Sequence, residues 1–426
     1  MFFCCLMLNV AAQEKLSLAV AVSIAIKNNY SILISKNESE IAVNNNTIGN
    51  AGMLPSFNVS ADGTQFANDT KQSYSNGLEV DKKNVASNNI QAGADFNWTI
   101  FNGFKMFATR NKLAELQAKG GLNLKTEIEN TIAGIINSYF DIVRNKELLK
   151  SAQSAIEIYE ERARISETKF NIGSASKLEL LQAKVDLNAQ RSALLKNKTA
   201  LNNAKINLNQ LLARPVETDF DVSDSIVITY HPKLDELKKT IIERNNTLLA
   251  AQKDLSVSSY SVKQIESLRY PVIGLGAGYN YSRIKNDAGL ILLNQNNGLN
   301  YGFTLRWNLF NGFNTNSQIK NAKLEYLNST LHLNDVQSQV ESQLLQAFRN
   351  FEDALEVLKL EEDNLLLAKE IVTVAFERFR IGNSIPLELK EAQKSFDDAA
   401  IRTTSARYDA KVAETELMRL NSELVK

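Results

Sequence analysis

The chain has 426 residues, and its 48 lysines and arginines balance 48 aspartates and glutamates, so its formal net charge is zero. A neutral chain without a long basic run argues against nucleic acid as a partner. With two histidines, two cysteines and no recognisable Ser–His–Asp set, the sequence predicts no metal site, no cofactor and no enzymatic activity. After the N-terminus no run of about 18 apolar residues occurs, which argues against a membrane-spanning helix but not against membrane strands.

Residues 1–12 form an apolar run that ends in two alanines, ahead of the polar residues Gln13 to Lys15. This pattern is typical of the second half of a secretory signal peptide that is cleaved near Ala12, although the usual basic segment is missing. A buried N-terminal helix is the alternative interpretation. Because Cys4 and Cys5 both lie in this segment, the mature chain would hold no cysteine.

The sequence repeats itself in tandem. Trp98–Phe104 (WTIFNGF) returns as Trp307–Phe313 (WNLFNGF), and Phe170–Gly173 (FNIG) returns as Phe379–Gly382 (FRIG), both 209 residues later. Upstream of the first tryptophan the offset grows to 216 or 217, and a loop would absorb that change in length. We therefore expect two equivalent halves, 13–214 and 232–426, joined by a linker at 215–231.

Each half contains two segments in which apolar and polar residues alternate, and this period of two predicts strands. The predicted strand hairpins cover about 55–101 and about 271–310, with polar loops around 68–84 and 285–298. A soluble β-sandwich would give the same alternation. Aromatic residues near the strand ends, and the absence of a second sheet to cover the apolar face, favour membrane strands instead. The side chains expected to face lipid are Phe96, Trp98, Ile100, Phe303, Leu305 and Trp307.

Four membrane strands cannot close a barrel, because membrane barrels begin at about eight strands and open sheet edges are forbidden in lipid. If these strands span a membrane, they must therefore close with strands from other copies.

After each strand hairpin a long segment with little or no proline predicts a helical hairpin, at 104–214 and 313–426. An arm of about 65 residues would be roughly 100 Å long. The return arms carry apolar residues at alternating spacings of three and four, which predicts coiled-coil packing.

A chain with two copies of helix, strand hairpin and long helical hairpin resembles the TolC-like outer-membrane efflux protein family, also called outer-membrane factors. The resemblance rests on Leu16–Leu18, the Asn28–Asn29 pair, the two WxxFNG junctions and the two FxIG turns, and it covers nearly all of the mature chain. It implies a mainly α-helical homotrimer with membrane β-structure. Three chains would form a twelve-stranded β-barrel in the outer membrane, continued by a long α-helical coiled-coil barrel in the periplasm.

The resemblance also implies functional residues. Acidic residues just after the second helical turn narrow the pore in this family, and Glu388 and Glu391 occupy the matching positions. A Tyr and an Arg that latch the closed state in the type member are replaced by Phe379 and Ser384. The helical tips would dock a periplasmic adaptor (membrane fusion protein) that connects to an inner-membrane transporter. The predicted tip residues are Asn171, Ile172, Gly173, Ser174, Arg380, Ile381, Gly382 and Asn383.

The function predicted by this resemblance is a passive export duct for small molecules or proteins, with a periplasmic acidic gate. An alternative from another class is a structural trimeric coiled-coil protein or adhesin without channel activity. That alternative predicts heptads without paired lipid-facing strands, and no conductance in lipid bilayers.

Overall fold

The structure is a computed structural model that describes residues 14–222 and 225–425. The predicted signal peptide at 1–12, with Cys4 and Cys5, lies outside the described residues. The chain forms two compact units. The first consists of Met1–Ser39, Gly121–Ala250 and Asn334–Lys426, and the second of Glu40–Gly120 and Ala251–Leu333.

Helices and strands alternate in an order that occurs twice. The elements are β1 (Glu14–Leu16), α1 (Leu18–Asn28), α2 (Tyr30–Asn45), β2 (Ser56–Ser73), β3 (Glu79–Asn102), α3 (Lys105–Asn171), α4 (Lys177–Leu211), β4 (Phe220–Val222), α5 (Leu234–Arg244), α6 (Asn246–Glu266), β5 (Val272–Asn286), β6 (Leu293–Arg306), α7 (Asn314–Arg380) and α8 (Pro386–Leu420). A short 3₁₀ turn, Ser267–Arg269, follows α6. The two long helices α3 and α7 have the same length, 67 residues.

The first unit contains two apolar clusters that repeat each other. Around α3 and α4 the cluster includes Ile135, Tyr139 and Leu208, together with Phe220 from the short parallel pair β1–β4. Around α7 and α8 the equivalent positions 209 residues later are Leu344, Phe348 and Leu417, packed with Leu237 and Ile241 of α5. The duplication read from the sequence is therefore also a duplication of buried side chains.

In each half an asparagine separates two consecutive helices. The Asn29 side chain donates to the carbonyl of Leu211 at 2.8 Å, and its Oδ1 accepts from the amide of Ser31 at 2.9 Å. Asn245 likewise donates to the carbonyl of Leu420 at 2.9 Å and accepts from the amide of Leu248 at 3.0 Å. Each asparagine thus caps the next helix and satisfies a carbonyl at the end of α4 or α8. Asn29 corresponds to Asn245, an offset of 216 rather than 217 residues.

The second unit contains one antiparallel sheet of four strands in the order β2-β3-β5-β6. Its turns are shorter than the sequence predicted, because β2 runs to Ser73, β3 begins at Glu79, β5 runs to Asn286 and β6 begins at Leu293. In these outer segments both faces of the strands carry polar residues, so the sequence shows no alternation of apolar and polar residues. The backbones of the neighbouring strands nevertheless pair there. The turn between β5 and β6 is not uniformly polar either, since Leu290, Ile291 and Leu292 are exposed there.

The junctions from strand to helix are built alike in both halves. Gly103 and the following Phe104 have φ angles of +67° and +68°, and Gly312 and Phe313 both have +64°. The rings of Phe101 and Phe104 meet edge to face at 5.1 Å, and Phe310 and Phe313 do so at 5.4 Å. Two consecutive residues with left-handed backbone turn the chain sharply from the sheet into the helix, and glycine at the first position relieves part of the strain.

Within residues 14–222 and 225–425, no single helix has both the length and the apolar character needed to cross a bilayer. The consecutive helices α1 and α2, which meet at an angle of 45°, pass that test as a bent pair.

Candidate pore constriction at the helical tips

The two helical hairpins turn at equivalent tips in the first unit. Gly173 and Gly382 have φ angles of +76° and +83°, the left-handed conformation that favours glycine. The amide of the residue after each glycine, Ser174 or Asn383, donates 2.8 Å back to a carbonyl in the last turn of the preceding helix. The next helix then begins at once. Ser176 caps α4 by accepting from the amide of Glu179 at 3.2 Å, and Pro386 is the first residue of α8.

Aliphatic side chains are exposed at both tips. Ile172 is 73% exposed and Ile381 is 65% exposed. Leu178 and Leu387, each the second residue of its return helix, are exposed as well. The predicted docking residues all lie at these two turns and are accessible, namely Asn171, Ile172, Gly173, Ser174, Arg380, Ile381, Gly382 and Asn383. Exposed aliphatic side chains at adjacent turns are typical of surfaces that bind another protein.

The two tips are tied together by Lys169 and Phe379. The Lys169 Nζ donates to the carbonyl of Phe379 at 3.0 Å and lies 4.2 Å from the centre of its ring. The Phe379 side chain is fully buried and packs with Leu389 and Ala392 of the return helix. Phenylalanine has no hydroxyl group to form the hydrogen bond of a tyrosine latch, and at this position the contact between the tips is the hydrogen bond from Lys169 to the Phe379 carbonyl.

Glu388, one of the two predicted constriction residues, is paired within its own hairpin. Arg378 Nη1 lies 2.5 Å from Glu388 Oε1, and the hydroxyl of Ser384 donates to Glu388 Oε2 at 2.7 Å. The same guanidinium donates to the carbonyl of Asn383 at 3.2 Å. Ser384, predicted to replace a latch residue, therefore orients the acid instead. The charge of Glu388 is largely compensated by Arg378.

Glu391, the second predicted constriction residue, lies three residues further along α8 and is exposed. It lines an open groove of about 670 Å³ between α7 and α8, together with Glu388 and Glu370. Among the residues that the structure describes, neither Glu391 nor Glu370 has an ion-pair partner. Glu370 was not predicted from the sequence, because its place beside Glu391 depends on the register between α7 and α8, which the sequence does not show.

A second polar network lies farther from the tips and connects the two hairpins. The buried Arg162 of α3 lies 3.2 Å from Asp186 Oδ2 of α4 and donates to Gln393 Oε1 of α8 at 3.0 Å. Lys390 of α8 reaches the other oxygen of Asp186 at 3.1 Å. No motif or spacing in the sequence indicates this network. Its members occupy three different helices, and buried charge is costly unless it is paired in this way.

Nearby, Asp397 of α8 is held between two donors from the first hairpin. Its Oδ2 accepts from the hydroxyl of Tyr159 at 3.0 Å and from the amide of Gln190 at 3.2 Å. Burial raises the pKa of Asp397 to about 6, against the opposing effect of the Tyr159 hydrogen bond. The same burial, with the neighbouring Asp397 charge, raises the pKa of Tyr159.

In the sheet of the second unit, strand pairing collects apolar residues on one face. One row across the strands is Phe57–Phe96–Ala277–Tyr301. A neighbouring row is Trp98–Leu275–Phe303, and Leu305 pairs with Ile273 beyond it. Ile100 falls at a bulge between the paired residues Thr99 and Phe101, and Trp307 follows the last residue of β6. All six residues predicted to face lipid are at least partly exposed, namely Phe96, Trp98, Ile100, Phe303, Leu305 and Trp307.

The opposite face of the sheet is polar. Asn58, Asp95, Gly278 and Asn300 form one row across the four strands. A Cβ atom at Gly278 would lie 2.8 Å from Asp95 Oδ1 and 2.9 Å from Asn300 Oδ1. The glycine therefore leaves room for the polar side chains of the neighbouring strands. A sheet with one apolar and one polar face suits a wall between lipid and water.

The model of the family described as outer membrane efflux protein matches residues 21–214 and 237–421 of this chain. The chain belongs to the outer membrane efflux protein family. It is similar to the outer membrane efflux protein BepC of Brucella suis biovar 1, with 20% identity over 335 residues, which cover 78% of this chain and 72% of BepC. It is also similar to TolC of Escherichia coli, with 21% identity over 403 residues, 88% of this chain and 78% of TolC.

Solved structures show the same fold. The outer-membrane channel OprN superposes with a TM-score of 0.80 at 16% identity, covering 95% of this chain and 90% of OprN. The CmeC outer membrane channel of Campylobacter jejuni superposes with a TM-score of 0.81 at 17% identity, covering 95% of this chain and 85% of CmeC. The efflux-family chain is thus an outer-membrane export duct with a helical part in the periplasm, and it is not an enzyme. These findings confirm the predicted export function, the predicted location and the predicted lack of enzymatic activity, while the acidic gate stays a prediction.

Proposed function

We propose that three copies of this efflux-family chain assemble into one duct, in which twelve strands close a β-barrel and twelve helices continue it as a coiled-coil barrel. One observation carries the proposal. The outer edges of β2 and β6 have no strand partner within residues 14–222 and 225–425. An unpaired edge in lipid would leave backbone donors and acceptors unsatisfied at a cost of several kcal/mol each, so β6 of one copy must pair with β2 of the next.

The organisation of each copy follows from the duplication. We assign residues 13–214 and 232–426 as two structural repeats, 215–231 as the linker between them, and 1–12 as a signal peptide that is removed. The matched contacts of Asn29 and Asn245 support the repeats, as do the tryptophans, since Trp98 Nε1 donates to the carbonyl of Met53 and Trp307 Nε1 to that of Arg269, both at 3.0 Å. In the assembled barrel the apolar face that carries Phe96 and Phe303 would contact lipid, and the polar face would line the pore.

The helical tips would bind the periplasmic adaptor, and through it the inner-membrane transporter that supplies the energy. The exposed Ile172 and Ile381 supply apolar contact area, and the flanking polar residues of both turns supply hydrogen-bonding groups. The cargo, small molecules or proteins, would be selected by the transporter, because a passive duct needs no specific binding site for it.

The constriction would be formed by Glu388 and Glu391, with Glu370 added by the geometry of the groove. Three copies of these carboxylates around one axis would concentrate negative potential and favour cations. Because Arg378 compensates Glu388, the field in this chain would come mainly from Glu391 and Glu370.

The test is the conductance of the purified protein in planar lipid bilayers. We expect small, cation-selective currents from the parent, and loss of cation preference in the double variant Glu388→Ala with Glu391→Ala. Glu179→Ala is the matched control, because Glu179 occupies the place of Glu388 in the first repeat. Unchanged selectivity in the double variant would remove the constriction assignment and leave the duct intact. No conductance from a well-folded parent would favour the structural coiled-coil or adhesin function.

A further inference from the structure

A separate cavity of about 280 Å³ lies among α3, α4 and α8 in the first unit, away from the tip groove. Four alanines leave the space open, one or two on each helix, namely Ala152, Ala155, Ala193 and Ala400. Larger apolar side chains form its wall, namely Leu148, Phe396 and Ile401. An apolar cavity of about 150 Å³ is already large enough to hold benzene, so this cavity has room for a ring with a short substituent.

One carboxylate borders this apolar space. Asp397 uses Oδ2 to accept from Tyr159 and Gln190, and among the described residues no donor contacts its Oδ1 and no cation pairs with it. The buried guanidinium of Arg162 is already engaged by Asp186 and Gln393. Both donors to Asp397 are uncharged, so the carboxylate is oriented without being neutralised. A half-buried anion without a counter-ion, beside an apolar cavity, is the arrangement that a cationic ligand completes.

We propose that this cavity is a binding site for small organic cations that carry an aromatic or alicyclic ring and a primary ammonium group. The ammonium would pair with Asp397 Oδ1, and the ring would lie against Phe396 and between the alanines. Such a site lies beyond the proposed duct function, since neither barrel closure nor the tip constriction requires it. The ligand would contact α3 and α4 of the first helical hairpin and α8 of the second at the same time. It would therefore favour the conformation in which the two hairpins pack against each other.

The charges around Asp397 decide which ligands are accepted. Lys150 lies at the border of the cavity but is exposed, so solvent screens its ammonium. Asp398 adds negative potential and helps to raise the pKa of Asp397, while the positive charge of Arg162 acts to lower the pKa of Tyr159. A cation should therefore bind well when Asp397 is ionised and lose affinity as the pH falls below about 6, where the carboxyl takes up a proton. A neutral or anionic molecule of the same shape should bind weakly at every pH.

Isothermal titration of the whole detergent-solubilised protein with benzylammonium tests the site, with benzyl alcohol as the uncharged probe of the same shape. All proteins are titrated in the same detergent, so partition of the probe into micelles is common to them. We expect benzylammonium to bind the parent, and Asp397→Asn to weaken that binding by about tenfold or more. Asp398→Asn is the matched control, because it removes the same charge one residue away, and it should change the affinity by less than about twofold.

A second variant tests the volume of the cavity separately from the charge of Asp397. Ala400→Leu fills the cavity and leaves Asp397 in place, so it should abolish binding of benzylammonium while the circular dichroism spectrum stays that of the parent. The proposal is overturned if the parent does not bind benzylammonium, if benzyl alcohol binds the parent as tightly as the ammonium does, or if Asp397→Asn binds as well as Asp398→Asn. These results do not depend on conductance, so failure of the site and failure of the duct are distinct outcomes.

Discussion

Arg378 and Glu388 face each other across the turn of the second helical hairpin, with Arg378 Nη1 2.5 Å from Glu388 Oε1. The two residues belong to different helices, and the Asn383 carbonyl and the Ser384 hydroxyl hold the pair in place. Both side chains are partly exposed, so the pair adds little to stability. Its effect is electrostatic, since it reduces the negative potential at the proposed constriction.

Replacing Arg378 by glutamine should therefore strengthen cation selectivity. The change frees the Glu388 carboxylate, which then adds to the field of Glu391 and Glu370. We expect the ratio of cation to anion permeability to rise about twofold, measured as a shift of the reversal potential in a salt gradient. Arg380→Gln is the control, because Arg380 pairs instead with Glu377 on its own helix at 2.7 Å. An equal rise in both variants would mean that the effect is general surface charge and not release of Glu388.

The junction glycines offer a matched comparison of strain. Both Gly103 and Gly312 have positive φ, so alanine at either position costs about 1 kcal/mol. A Cβ at Gly103 would also collide with the carbonyl of Ser267, whereas nothing lies within 4 Å of a Cβ at Gly312. Gly103→Ala should thus destabilise the protein by about 2 kcal/mol more than Gly312→Ala, measured as the fall in the thermal unfolding midpoint. Equal falls would show that the backbone at Gly103 moves freely away from Ser267.

The linker between the halves is fixed to α8 by a buried carboxylate. Glu414 Oε1 accepts from the amides of Thr229 and Tyr230 at 3.0 and 2.9 Å, and Oε2 pairs with Lys411 at 2.5 Å. Glu414→Ala would leave two amides without their acceptor and would leave the Lys411 ammonium with only the Val227 carbonyl, so we expect a loss of about 3 kcal/mol. The measurement is the unfolding midpoint, with Asp409→Ala as an exposed acidic control on the same helix. A cost no larger than that of the control would mean that water replaces the carboxylate.

Asp397 predicts a particular dependence of stability on pH. Its pKa is raised to about 6 from an ordinary value of 3.8, so the folded state binds the proton more tightly than the unfolded chain does. Stability contributed by this group is therefore present below about pH 4 and declines as the pH rises towards 6. Asp397→Asn removes the uncompensated charge and should stabilise the protein at neutral pH by about 1–2 kcal/mol, after allowance for partial exposure.

The measurement for this prediction is the unfolding midpoint as a function of pH. The difference between Asp397→Asn and the parent should grow between about pH 4 and 6 and then level off. Asp398→Asn should follow the parent across that range. A constant difference between Asp397→Asn and the parent would mean that the carboxyl group does not titrate there.

The features predicted best from the sequence are those that depend on residues close together in the chain. The repeated tryptophans, the glycines with positive φ at 173 and 382, and the long helices without internal proline all follow from local chemistry, and each occurs twice in the chain. Because the sequence is duplicated, each of these patterns in one half is supported by its counterpart in the other half. The family and the export function followed because the order of the elements is itself distinctive.

The features that were missed depend on contacts between side chains far apart in the sequence. The pairing of Arg378 with Glu388 crosses a turn, and Arg162 reaches Asp186 and Gln393 on two other helices. The outer parts of the strands carry polar side chains on both faces, a pattern that predicts loops, so their pairing is not visible in the sequence. Asp397 lies off the apolar seam of α8, so the spacing of apolar residues gave no reason to expect it at a cavity.

On the polar face of β5, Gly274, Gly276 and Gly278 follow one another at alternate positions, so this strand adds no side chain of its own there. At Gly278 the space is taken by Asp95 and Asn300 of the neighbouring strands, whereas a Cβ at Gly276 would lie 3.7 Å from its nearest neighbour, Asn97 Oδ1. In the proposed barrel, the inner diameter at this level would consequently be set by the residues of the flanking strands. Gly276 is the position at which a designer could add a methyl group to reduce the size limit for transported molecules without touching the helices.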